Sequence, residues 1–139
     1  MERRDYLLKE IEKISQIIMA LANKIFGIDS SNASSIIAEV NQSLNEQLDL
    51  DIKQLIELTE EDILEKISRL NHQNIEDLLE LILALIKSLD KQEKEFYNLK
   101  KLSQRALFLI DYLNNNTKAY SIKRTSLEKQ FQEWLLVLN

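Results

Sequence analysis

Asn74-Ile75-Glu76-Asp77-Leu78-Leu79-Glu80-Leu81-Ile82-Leu83-Ala84-Leu85-Ile86-Lys87-Ser88-Leu89 reads as a helix with almost no polar face. From Leu78 to Leu89 it is apolar on almost every side. A surface helix shows a single apolar stripe, whereas one that is apolar all round is buried on most faces. Asn74 is read as its N-cap, with Asp77 three residues on. This helix is the expected centre of the core.

The rest of the chain supports a helical reading. Among 139 residues there is one glycine, Gly27, and no proline. A β-rich chain needs a turn signal every ~8–12 residues, and glycine and proline supply most of them. Leu and Ile dominate the apolar set, with valine only at positions 40 and 137. The expected class is all-α, with six to seven helices in antiparallel hairpins. A tetratricopeptide-like array and an irregular bundle both fit that description. A single domain over residues 1–139 is expected, with a long N-terminal helix over 1–27 and a hairpin region over 74–139.

The first helix is read from Glu2 to Phe26, ending at Gly27 as the C′ residue. Leu7, Ile11, Ile14, Ile18, Leu21 and Ile25 recur at alternating spacings of four and three, a heptad stripe. Branched residues at a and mostly Leu at d suit a two-stranded coiled coil. Leu8 and Ile17 widen the stripe, as in a helix packed on a globular core. Packing within the chain and a self-association seam both remain open.

Further along, Asp29-Ser30-Ser31-Asn32 offers N-caps for a helix to Leu48. Asp49 or Asp51 caps a short turn from Ile52 to Leu58. Thr59-Glu60-Glu61-Asp62 has a capping-box shape, and Asn71 is read as the C′ residue of the helix it opens. Beyond a turn at residues 88–91, one long helix carries Phe96, Leu99, Leu102, Ala106, Ile110 and Leu113. Asn114-Asn115-Asn116 is expected to end it through left-handed asparagine. A last helix starts near Ala119 or Ser121.

The net charge is −5. Residues 1–38 are neutral, residues 39–80 sum to −9, and residues 81–139 sum to +4. Nucleic-acid binding needs concentrated Lys and Arg, so no nucleic-acid partner is expected. The basic third could meet an acidic partner, another copy, or the chain's own middle. The longest apolar run is far short of the ~20 residues of a membrane span. The chain is read as soluble and cytoplasmic, with no membrane partner.

Leu102-Ser103-Gln104-Arg105-Ala106-Leu107-Phe108-Leu109-Ile110-Asp111-Tyr112-Leu113 has the look of a tetratricopeptide-type helix. Thr117, Tyr120, Ser121 and Arg124 follow it, and Asp5-Tyr6-Leu7 opens the first helix. In these motifs the chain resembles a family of uncharacterised bacterial all-helical proteins. The resemblance implies tetratricopeptide-like hairpins and carries no activity, cofactor or catalytic residue.

Chemistry-bearing patterns are sparse. There is no cysteine, and His72, the one histidine, has no ligand spacing around it. It reads as a solvated loop residue. One glycine cannot build a phosphate loop. Asp49, Asp51 and Glu60 to Asp62 lack EF-hand spacing. No cofactor, metal site or catalytic set is expected, and the chain is read as a non-enzyme.

Arg105, Lys118, Tyr120, Lys123 and Arg124 are the candidate interaction or anion site, a cationic cluster near a helix N-terminus. Capping by Ser121, packing of Tyr120 and an Arg124–Glu128 pair would explain the same residues structurally. The expected function is a helical protein-interaction module, with a homodimer through the Leu7 to Ile25 stripe as one form. A small anionic-ligand domain is the alternative.

Overall fold

Helix α5 (His72–Ser88) is the hub of the computed structural model, which describes residues 2–138. Met1 and Asn139, the outermost positions of the expected domain, lie outside the described residues. Leu78, Leu79, Leu81, Ile82, Leu85 and Ile86 of α5 are all sealed from solvent. At about 1.5–3 kcal/mol for each fully buried Leu or Ile, this one helix contributes a large share of the driving force. Seven further α-helices surround it, and no strand occurs among the described residues: α1 (Glu2–Ile25), α2 (Ala33–Leu48), α3 (Ile52–Glu57), α4 (Glu60–Ile67), α6 (Lys91–Phe96), α7 (Leu99–Asn116) and α8 (Ile122–Val137). One continuous core runs from Ile18 to Phe131. The all-α class holds, as an irregular bundle about a central helix.

Polar contacts fix the directions. Asn74, near the start of α5, bonds the Ile11 carbonyl, and Asp77 accepts from Ser15. Further down, Ala22 and Phe26 lie beside Leu83, Ala84 and Lys87. Helices α1 and α5 therefore run parallel. Helix α8 also runs parallel to α5, with Arg124 on Glu76 at one end and Gln130 near Lys87 at the other. Helix α7 runs the opposite way, its Tyr112 standing edge-on to His72 at a centroid distance of 6.5 Å. With 24 residues against 17, α1 overhangs the start of α5 by about 10 Å. That overhang leaves Tyr6, Leu7 and Leu8 exposed.

Several helix limits differ from the sequence reading, each for a local reason. Asn71, read as a C′ residue, is the N-cap of α5 and accepts from the Gln73 amide at 2.9 Å. Asn74, read as that cap, lies inside α5 and is buried. His72 is accordingly a half-buried helical residue rather than a loop one. The long helix expected after residue 91 is broken into α6 and α7 at Asn98. Asn98 adopts a left-handed conformation (φ 53°) and caps α7 through its side chain.

The left-handed positions are Asp49 and Asn98, not Gly27 or the Asn114–Asn116 run. Gly27 still follows α1, but within an ordinary turn, its amide bonding the Lys24 carbonyl at 3.0 Å. The Asn run stays helical to Asn116, and Thr117 ends α7 in extended backbone. The breaks after α2 and before α4 fall where capping residues stand. Asp51 forms a complete capping box with Gln54, and Thr59 accepts from the Asp62 amide.

Candidate functional groove

The basic third of the chain meets the chain's own acidic middle. Arg124 is 6% exposed, and its guanidinium donates to Glu76 at 2.9 Å, Asn114 at 2.8 Å and the Ala119 carbonyl at 2.9 Å. Ser121 caps α8 through the Arg124 amide and donates to Glu76 at 3.3 Å. Lys123 pairs with Glu80 at 3.1 Å and Asp77 at 3.6 Å. The expected Arg124–Glu128 pair does not form, because the guanidinium turns inward onto Glu76.

These contacts dissolve the proposed cationic cluster. Arg105 faces α3, nine residues up α7 from Asn114, or about 13 Å away along the axis. It is buried, donates to the Leu58 carbonyl at 2.7 Å, and its Nε has no partner. Lys118 and Tyr120 stand exposed on the α7–α8 turn, so Tyr120 does not pack as expected. Arg105 is thus remote from the other four candidates, and of those four the two that turn inward, Lys123 and Arg124, both have internal carboxylate partners. No group of three or more His, Cys, Asp or Glu side chains among the described residues is placed to hold a metal ion. No described helix is long and apolar enough to cross a membrane.

The candidate self-association stripe divides along its length. Ile18, Leu21 and Ile25 are buried, Ile11 and Ile14 are half-buried, and Leu7 is exposed. The stripe is thus mainly the seam between α1 and α5. A buried polar knot pins that seam. Ser15 donates to Asp77 and accepts from Gln73 and Asn74, each at 3.2 Å. Such a knot has only one satisfied alignment, because sliding α1 by a turn would strand Asp77 in the core.

Beside the seam, a different surface stands open. Helices α1 and α8 flank α5 without closing over it, leaving a groove of about 420 Å³. Leu83, Ala84 and Leu127 form its floor and are buried. Met19 and Phe26 form the α1 rim and are 59% and 64% exposed. Glu80, paired with Lys123 of the α8 rim, stands at one end and Lys87 at the other.

The α1 rim is also short of charge: from Ile14 to Asn23 there is no Asp, Glu, Lys or Arg. Gln16, Met19, Ala20 and Asn23 in that span all face solvent. Solvated surfaces normally carry roughly a quarter to a third charged residues. Met19 and Phe26 lie outside the heptad stripe, so periodicity does not mark them. The signal that marks this part of α1 is the missing charge from Ile14 to Asn23. A second, smaller hollow of about 340 Å³ lies over Ile37, Ile52 and Leu85. Phe96, expected on the apolar face of a long helix, stands at its rim, 80% exposed.

No family model matches the chain, and no curated protein and no solved structure was found to be similar to it.

Proposed function

We propose that this protein is a non-catalytic helical interaction module that binds a polypeptide in the groove between α1 and α8. The observation that carries this reading is the pairing of an open groove of apolar floor with an exposed α1 rim that carries no charge from Ile14 to Asn23. Interface centres are depleted in charge and enriched in Met and aromatic residues. Methionine adapts to irregular apolar partners, and a groove between two helices is a common seat for a third. The anionic-ligand alternative has no comparable support, since Arg124 and Lys123 already have carboxylate partners.

The test is a photo-crosslinking amino acid placed at Asn23 on the rim and, as control, at Lys129 on the outer face of α8. A crosslinked polypeptide is expected from position 23 and not from position 129, and it should vanish when Phe26→Asp is added. Absence of any polypeptide adduct at position 23 in the native host would sink the reading.

A further inference from the structure

We infer that the polypeptide seated in the groove carries a cluster of acidic side chains at one end, where they pair with Lys87, Lys91, Lys94 and Lys100. The inference rests on the groove reading above and names the partner's chemistry and alignment. Inside the groove, Glu80 and Lys123 neutralise each other at 3.1 Å. Lys87, at the opposite end, has no carboxylate partner among the described residues. The groove is therefore positive at one end only.

The neighbouring elements extend that charge. A hollow of about 530 Å³ is lined by Lys91 and Lys94 of α6, Lys100 of α7, and Val137 and Leu138 at the end of α8. Helix α8 sets this hollow next along from the groove, since Gln130 lines the groove and Val137 lines the hollow. Seven residues are close to two helical turns, so both side chains lie on one side of α8, about 10 Å apart along its axis. Trp134 is one turn beyond Gln130, and the Lys94 ammonium stands 4.6 Å from its ring centroid. Helix α6 itself begins at Lys91, directly after the turn that follows α5.

These lysines have no carboxylate partner among the described residues, whereas Lys24, Lys66, Arg69, Lys123 and Arg124 each have one. Fewer acids offset them. Asp90 and Glu93 are joined in the α6 capping box, while Glu95 in the hollow and Glu133 on α8 stay exposed. A carboxylate brought here meets ammonium groups beside Trp134, Val137 and Leu138, and an ion pair next to apolar surface is stronger than one in open water. A basic segment is repelled from the same place. The buried floor at Leu83, Ala84 and Leu127 is recessed between α1 and α8. A narrow peptide segment can cover that floor and reach the lysines together, which a flat lipid surface cannot.

The probe is a phage-displayed library of random peptides about 16 residues long, enough to span groove and hollow as a helix of about 24 Å, selected against the full chain. Enriched peptides are expected to carry an acidic cluster at one end of an apolar run. Synthetic copies should shift the emission of Trp134, the one tryptophan of the chain. They should bind about tenfold or more weakly when Lys91→Glu and Lys94→Glu are combined, and unchanged with Lys129→Glu on the outer face of α8. Circular dichroism verifies that the variants fold. Salt supplies a measurement that needs no variant: raising sodium chloride from about 50 to about 500 mM should weaken wild-type binding about tenfold. A library that yields no binder, or binders without an acidic excess, overturns the inference. Binding that ignores both charge reversal and salt does the same. A Trp134 response to phosphatidylglycerol vesicles, with none to any selected peptide, overturns it in favour of a lipid surface. If crosslinking from Asn23 captures a polypeptide equally well in the lysine variant, the groove reading stands and the acidic alignment fails. If nothing is captured there, both fall together.

Discussion

Two buried arginines show that a residue's role depends on its neighbours rather than its type. Arg124 is matched by the Glu76 carboxylate, an asparagine oxygen and a carbonyl. Removing it strands Glu76, whose side chain is only 15% exposed. Breaking such a pair from one side typically costs about 3 kcal/mol or more. Arg105 has a single carbonyl partner, at the end of α3, and an orphan Nε. Its replacement by an apolar chain of similar length removes one hydrogen bond and one desolvated donor together, so the two effects oppose each other. Urea unfolding should therefore show Arg124→Met destabilised by about 3 kcal/mol and Arg105→Met by about 1 kcal/mol or less. Equal losses would mean that Arg105 has a role its contacts do not show. A third charged residue acts through local geometry alone. The Ser31 hydroxyl, then the Ser31 and Asn32 amides, donate to Asp29 and hold its carboxyl below the ordinary 3.8. A lowered carboxylate pKa stabilises the folded loop above the unfolded value. That contribution is lost as pH falls through the lower folded value. An NMR titration should place Asp29 below 3.8, and Ser31→Ala should move it back up; no movement would remove the hydroxyl as the main cause.

Between elements, the buried Ser15–Asp77 contact joins helices 62 residues apart in sequence. Ser15→Ala leaves Asp77, 5% exposed, with only the Lys123 ammonium at 3.6 Å. A loss of about 1–3 kcal/mol follows from stranding a buried acceptor. The double variant Ser15→Ala with Asp77→Ala should lose less than the two single losses combined. Strict additivity in a denaturant double-mutant cycle would show that the two groups do not act as a unit. This knot also explains what the sequence could and could not disclose about the elements. Thr59 caps its helix as read, and Asp51 and Ser121 are each one of the two starts offered, because a cap is a local device that needs only its next three residues. Asn71 and Asn74 are both sound caps by that local rule, and the choice between them is made by the Ile11 carbonyl and Ser15 on another helix. The break at Asn98 was invisible for a related reason. Its left-handed backbone sits inside an apolar spacing that reads as one continuous helix. The inward turn of Arg124 was equally hidden, since Glu128 and Glu76 are both acids within plausible reach and only the packing of α8 on α5 selects one.

At the scale of the whole molecule, the all-round apolar α5 announced the hub, but not that α1 and α8 would run parallel to it. Periodicity reports which face of a helix is buried and is silent on direction. Direction decides where the open groove lies: beside the α1 rim and not at the cationic turn. The same architecture ranks the parts by stability. Helix α5 touches α1, α7 and α8, so its amides become accessible only when those neighbours leave, which amounts to global unfolding. The first turns of α1, which overhang α5, and the short α6, which buries no residue, can open without disturbing the core. Native-state hydrogen exchange should therefore find the slowest amides over residues 78–86 of α5, at the free energy measured by denaturant unfolding. The buried half of α1, residues 18–25, should come next, with residues 3–9 of α1 and residues 91–96 of α6 fastest. Exchange in α5 as fast as in α6 would mean that the hub opens on its own, and the single-core account of this fold would fail.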